Sequence, residues 1–390
     1  MNRRDFVLRG AASLAALNAS RLLGAPRKRM PDPDQSGIDH VVVLMMENRS
    51  LDHFLGWLPG VNGIQSGLTY YDKNGQPHAT HPLAPDYQGC SHPDPDHSWE
   101  GGRVCYDNGA CDGWLRAGDN DDFAIGYYTA ADLPFLSNAA RDWTTFSRYF
   151  APIMSSTYPN RIYQYSGVTD RIENSLALCT LPTIFDRVAG AGLTGRYYFY
   201  DFPFIGLWGT RYASITRTHD DFLADCAAGT LPNLTFVDPP LAGEESGTSG
   251  DDHPHGDIRA GESFMNRVYQ AVTQSPAFAR TVFIINFDEW GGFFDHVAPD
   301  TAPDVRPEYQ LRGFRVPALV ISPFARRANV AHGVYDHTSI LRMVEWRWGL
   351  APLSRRDSKA NNLAEVLDFS AFDMSVPQYS VPDVTSVACP

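Results

Sequence analysis

Six consecutive apolar residues, at positions 41–46, run without a break into Glu47-Asn48-Arg49-Ser50. A run that short, uniformly apolar and rich in valine reads as a β-strand buried on both faces, the kind found in parallel sheets covered by helices. Thr281–Phe287 repeats the pattern and runs into Asp288-Glu289. Ala318–Ile321 is a third such run, and Leu234–Val237 and 197–200 are expected to be strands too. Apolar periodicity predicts a helix over 258–274, stopped by Pro276. A second helix is predicted over 339–348, capped by Asp336, His337 or Thr338. The fold class is therefore α/β, with a mostly parallel central sheet sandwiched by helices. In such sheets the ligand crevice lies outside the carboxyl ends of the strands. Neighbouring strands would bring Glu47, Asn48, Asp288 and Glu289 to one spot. Three carboxylates there repel one another unless a cation lies among them. Oxygen donors with a carboxamide suit one divalent ion such as Ca²⁺ or Mg²⁺, with Mn²⁺ and Zn²⁺ also compatible. The same acids also fit plain helix caps, although Gly291-Gly292 beside them points to close backbone approach.

A second constellation is Ser155-Ser156-Thr157-Tyr158-Pro159-Asn160-Arg161. Proline suits the first helical position, so Pro159 is expected to open a helix. Thr157 then stands at the helix mouth, where free amides and the dipole favour an anion. A threonine hydroxyl is a weak nucleophile until activated, and a cation held by Glu47 and Asp288 would activate it. The serines and the threonine also fit a simple N-cap. Histidines form the third element, clustering in polar loops: His92 and His97, His253 and His255 after Asp251-Asp252, and His337 after Asp336. A histidine beside aspartates is oriented and its pKa is raised, which suits proton donation to a leaving alkoxide. His253 is the first candidate for that role, and His97 for holding phosphoryl oxygen. His337 is either a cap or a ligand.

The net charge of −13 becomes −16 once residues 1–25, which carry +3, are set aside. An acidic chain excludes nucleic acid as a partner, because phosphate backbones demand clustered Lys and Arg. It also argues against strong docking on anionic membranes. Residues 1–25 begin with Arg3-Arg4, continue through an apolar middle and end in small residues, the pattern of a twin-arginine export signal. Cleavage is expected near Ala25 or Ala19. No later run is long enough to span a bilayer, so no stable membrane anchor is expected after signal removal. One domain is expected over 38–370, with an irregular, Gly-, Pro-, Asp- and His-rich excursion at about 60–122 and an extended tail over 371–390. Six cysteines permit disulfides in an exported chain, and Cys105 and Cys111 are close enough in sequence to pair.

These residues resemble a known family. Residues 47–56, Glu-Asn-Arg-Ser-Leu-Asp-His-Phe-Leu-Gly, resemble the opening motif of bacterial phosphocholine-type phospholipases C and related acid phosphatases. Thr157 to Arg161 is similar to that family's nucleophile motif, and Asp252-His253-Pro254, the stretch from Asp288 to Val297, and His337-Thr338-Ser339 resemble its later blocks. The resemblance implies an alkaline-phosphatase-like fold. It implies Thr157 as a nucleophile forming a phospho-enzyme, with His253 and His97 assisting. It implies Glu47, Asn48, Asp288 and Glu289 around the metal, and Asn48, Asn160, Arg161 and His337 next to the substrate. Leu51 and Leu55 replace aromatics of the family pattern. The expected activity is phospholipase C-like cleavage of a phosphodiester, in a periplasmic or secreted enzyme that meets the twin-arginine machinery on export. The aromatic run 197–208 is either a cage for a quaternary ammonium, favouring phosphatidylcholine or sphingomyelin, or part of the core. Without the cage an acid phosphatase acting on monoesters is favoured. A secreted metal-binding protein without catalysis is the alternative of another class.

Overall fold

Alternate side chains of a strand point to opposite faces, so a strand with every residue buried must be covered on both sides. The computed structural model describes residues 30–390 and shows this for β1 (His40–Met46), whose residues from Val41 onward are at most 1% exposed. The expected export signal and both cleavage points lie outside the described residues. Seven further strands complete the sheet: β2 (Thr144–Phe146), β3 (Gly195–Phe199), β4 (Thr216–Thr218), β5 (Leu234–Val237), β6 (Thr281–Phe287), β7 (Ala318–Ile321) and β8 (Asn329–Ala331). Their spatial order is β8-β2-β7-β6-β1-β5-β3-β4. β1 lies between β5 and β6 and is parallel to both, with Val41 opposite Leu234 on one side and Val282 on the other. Only β7 runs against its neighbours, so the sheet is mostly parallel, as expected.

Five helices matter for the site: α1 (Trp99–Tyr106), α2 (Leu136–Asp142), α3 (Thr157–Ser166), α4 (Ile258–Thr273) and α5 (His337–Trp348). α3 packs on α5, and α4 packs on the helix His219–Ala228. α4 ends one residue before the expected boundary and starts at an Asp257 cap whose side chain accepts from Arg259 N. α5 begins two residues earlier than expected, because Asp336, one of the three candidate caps, forms a reciprocal capping box with Ser339. Pro159 is the third residue of α3, not the first. Any position in the first turn tolerates proline, since those amides have no intrahelical partner.

The excursion at 60–122 is more ordered than its composition suggests. It holds a short hairpin, Thr69–Tyr71 against Pro77–Ala79, and α1. It also contributes Cys105, Cys111 and Trp114 to a small core with Met154, Trp290 and Phe314. The expected Cys105–Cys111 disulfide does not form: both are buried thiols in that core. The disulfide instead joins Cys90 to Cys389 across 299 residues and ties the tail to the excursion. From 371 onward the tail has no helix or strand. Pro33–Pro390 form one compact unit, and no helix among the described residues is long and apolar enough to cross a membrane.

Candidate active site

Because β5, β1 and β6 are adjacent and parallel, their carboxyl ends deliver three acids side by side: Asp238, Glu47 and Asp288. The backbone stitches these ends together. Asp288 N donates to Met46 O at 3.1 Å, and Asn48 N donates to Asp288 Oδ1 at 3.0 Å. Asn48 holds a left-handed backbone, φ 58°, at the turn out of β1. Gly291, with φ 61°, passes so close that a Cβ there would lie 2.0 Å from Asn48 O, and a Cβ at Gly292, with φ 73°, would lie 2.6 Å from Pro95, which explains the glycine pair. Glu47 N donates to Asp251 O at 2.8 Å and Arg49 Nε to Asp252 O at 2.7 Å, fastening the loop that carries His253 onto the end of β1.

α3 supplies the next layer. Thr157 is its first residue and Arg161 lies one turn on, so both face the same side. Arg161 is wholly buried and lies among the acids. Its Nε donates to Glu47 Oε1 at 3.0 Å and its Nη1 to Asp238 Oδ1 at 3.1 Å, with Asp288 Oδ2 at 3.4 Å. Thr157 and Glu47 line one cavity. Tyr158 N donates to Asn174 Oδ1 at 2.8 Å, while the Ser156 side chain makes no cap hydrogen bond, so the helix mouth is only partly satisfied by the chain itself.

Three residues expected next to the substrate make their hydrogen bonds within the protein. Arg161 is engaged by carboxylates. Asn160 is buried and pins the loop before Thr157, its Oδ1 accepting from Ile153 N and its Nδ2 donating to Ser155 O and Ser156 O. His337 is buried beneath β6, its Nε2 donating to Asp288 O at 2.8 Å, and burial pushes it down to about 4 and keeps it neutral. These polar atoms bind the protein itself.

The histidines divide by environment. Burial favours neutral His97, yet Glu289, with Oε1 3.7 Å from Nε2, together with Asp94 and the Pro95 carbonyl, pushes its pKa up to about 9. His253 goes the other way, contrary to the expectation that its aspartates would raise it. Burial dominates, the charge of His97 adds to it, and Asp94 at 3.9 Å does not compensate. The rings of His97 and His253 lie 6.1 Å apart. His92 and His255 lie away from this group. His92 pairs with Asp121, and His255 Nε2 donates to His92 O.

Negative charge is in excess. Burial raises Asp288 well above the carboxylate range, with Glu47 adding and Arg161 opposing. Burial likewise pushes Glu289 up to about 8, Asp251 to about 8 and Asp238 to about 7. Each of the four expected metal ligands keeps one buried oxygen with no hydrogen-bond partner: Glu47 Oε2, Asn48 Oδ1, Asp288 Oδ2 and Glu289 Oε1. Buried oxygens without hydrogen-bond partners, in a pocket crowded with carboxylates, fit a hard cation. Acid–histidine clusters that could hold a metal ion also occur here: Glu47–Glu244–His253 and Asp94–His97–His253 each bring one ligating atom per residue within 4.8 Å of the others. Asp94, Asp238, Asp251 and Glu244 were not singled out from the sequence. Asp238 carried the same signal as Glu47, an apolar strand ending in an acid. Glu244 lies in a loop with no such mark.

The aromatic run 197–208 is partly core. Tyr197, Tyr198, Phe204 and Trp208 are buried, whereas Tyr200 and Phe202 are 46% and 40% exposed.

The Phosphoesterase family model matches residues 38–351. Non-specific phospholipase C6 of Arabidopsis thaliana is 28% identical over 90% of this chain and 76% of its own length. Phospholipase C A of Mycobacterium tuberculosis is 28% identical over 90% of this chain and 81% of its own. Non-hemolytic phospholipase C of Pseudomonas aeruginosa is 27% identical over 90% of this chain and 60% of its own. Among solved structures, a protein in the alkaline phosphatase superfamily from Vibrio parahaemolyticus is similar at a TM-score of 0.45 and 10% identity, over 86% of this chain and 73% of that one. The chain belongs to the phosphoesterase family and is a hydrolase acting on phosphoric esters.

Proposed function

We propose that this enzyme cleaves the phosphodiester of a phospholipid in the manner of a phospholipase C, through a covalent intermediate on Thr157. The observation that carries the proposal is the joint placement of Thr157 and the acid cluster: both border one cavity, one helical turn from the arginine that binds Glu47 and Asp238. The helix mouth around Thr157 favours the phosphoryl anion. The Thr157 hydroxyl attacks phosphorus while neutral His253 takes its proton and then returns it to the departing alkoxide. Water attacks phosphorus next, freeing the phosphorylated head-group and restoring the threonine. Charged His97 holds a phosphoryl oxygen. A divalent cation held by Glu47, Asn48, Asp288 and Glu289 would supply Lewis-acid stabilisation of the phosphoryl oxygens and lower the pKa of the hydroxyl. Its oxygen-only donor set favours Ca²⁺ or Mg²⁺.

Export by the twin-arginine route, to the periplasm or beyond, is supported by Arg3-Arg4 and by the Cys90–Cys389 disulfide, which belongs in an oxidising compartment. The test of activity compares p-nitrophenyl phosphorylcholine with p-nitrophenyl phosphate, with and without EDTA. Turnover of the diester is expected, abolished by the chelator and restored by a divalent cation. Turnover of the monoester alone would favour an acid phosphatase, and turnover of neither by the cation-loaded protein would contradict the proposal.

A further inference from the structure

Two buried residues that follow Glu47-Asn48 in the chain have no part in the displacement described above: Arg49, 1% exposed, and His53, fully buried. A guanidinium is almost never buried without a carboxylate partner, because its charge loses water. Among the described residues, no carboxylate oxygen bonds to Arg49. Its Nε donates to Asp252 O at 2.7 Å, its Nη2 reaches His253 O at 3.5 Å, and its Nη1 lies 3.1 Å from His53 Nε2. The tautomer of His53 follows. Its Nδ1 lies 2.8 Å from Gly126 O and carries the hydrogen, so its Nε2 presents a lone pair to Arg49, which can only donate. Burial and the Arg49 charge hold His53 well below the ordinary range, in keeping with a neutral ring. That ring lies between Phe293, with centroids 3.9 Å apart, and Phe54 at 4.9 Å, and the guanidinium rests on the same Phe293 at 4.6 Å.

The far end of this chain of bonds is the turn that carries His253. Asp252 holds φ 79°, a left-handed backbone that a residue other than glycine keeps only where its surroundings impose it. Within the turn, His253 N donates to Asp251 Oδ1 at 2.9 Å and His253 Nδ1 to Pro254 O at 2.8 Å, which leaves Nε2 as the free ring atom. The ring is thus fixed to its turn. The turn is fixed to the sheet by Glu47 N on Asp251 O and by Arg49 on the next two carbonyls. Resting on the phosphodiester reading above, we propose that His53 is a positioning residue: through Arg49 it aims His253 Nε2 at the oxygen of the departing alcohol. As the P–O bond to that alcohol breaks, its electron pair goes to the oxygen, which takes from Nε2 the proton that came from Thr157. A nitrophenolate leaves readily without that proton, whereas a lipid alkoxide needs it.

The experiment measures kcat/KM, which reports the steps up to the phospho-enzyme, for p-nitrophenyl phosphorylcholine and a soluble short-chain phosphatidylcholine. It uses the cation-loaded full chain and its H53N, H53Q and R49K variants. Asparagine replaces Nδ1 alone, glutamine puts an acceptor where Nε2 was, and lysine keeps the charge without the fork that spans two carbonyls and a ring. H53N and R49K are expected to lose roughly tenfold more on the lipid than on the nitrophenyl ester, and H53Q to keep the wild-type ratio. Equal losses on both substrates in H53N and R49K would assign the pair a purely structural role and overturn the proposal, as would H53Q behaving like H53N. If H53N does not fold, the ratio in R49K decides. Wild-type turnover of neither substrate would instead remove the phosphodiester reading beneath it, so the two failures are distinguishable.

Discussion

Arg161 commits its guanidinium to Glu47, Asp238 and the Met45 carbonyl, with Asp288 beside it. It therefore works as the fixed positive charge that lets carboxylates from three strand ends share a buried pocket. Breaking a buried pair by removing one partner costs about 3–5 kcal/mol, because it leaves uncompensated charge. R161M should lose stability by roughly that amount in chemical denaturation and lose activity on both nitrophenyl esters; a variant as stable as the wild type would contradict this role. The sequence placed Arg161 near the nucleophile but not its direction. The i, i+4 relation to Thr157 gives the shared face, while the contact with acids from three separate strands depends on the sheet order. The ligand candidates Glu47, Asn48, Asp288 and Glu289 were legible because each follows a long buried strand. Glu244 and Asp94 come from loops, where no period marks a side chain for the site.

At the scale of elements, the central strands and the helices α4 and α5 were legible because their apolar periods are long. β2, β4 and β8 are three residues each, too short for a period to register. α1 was hidden by Gly101-Gly102, which lower helix propensity. Gly102 is there for packing, since a Cβ would meet the Met154 side chain at 2.7 Å and Trp290 at 3.0 Å. α4 carries a second buried acid. The Glu262 carboxylate accepts from the amides of Phe135 and Leu136, capping α2 from outside. Burial pushes its pKa up to about 8, against the pull of those amides. The folded chain therefore binds this proton more tightly than the unfolded chain, whose pKa is the ordinary 4.5. The sign follows: stability is greatest below about pH 4.5 for this group and falls as pH rises towards 8, by on the order of 4 kcal/mol. E262Q removes the titration and keeps an acceptor. Thermal unfolding followed from pH 5 to pH 9 should show a shallower loss of Tm in E262Q than in the wild type; parallel curves would show that Glu262 is not the group responsible.

Over the whole molecule, the Cys90–Cys389 disulfide joins the excursion, the tail and the loop that holds the catalytic acids. Cys389 N donates to Ser246 O at 2.8 Å, and Gln88 Nε2 donates to Gly247 O at 2.9 Å, on the loop that leads to Asp251 and His253. No sequence spacing reveals a bridge of 299 residues, and proximity in sequence favoured the wrong pair. C389S should lower stability by about 2–5 kcal/mol and reduce kcat, with its Tm indifferent to dithiothreitol while that of the wild type drops. Equal responses to the reductant would separate the bridge from stability. The central claim is that a threonine hydroxyl at the mouth of α3 attacks phosphorus at the edge of the sheet, and it can be observed directly. Acid-quenched wild-type enzyme turning over p-nitrophenyl phosphorylcholine, digested and read by mass spectrometry, should carry a phosphorylcholine group on the peptide containing Thr157, and T157A should carry none, with turnover reduced at least a thousandfold and an unchanged Tm. Near-normal turnover in T157A, or an adduct on another residue, would contradict the account.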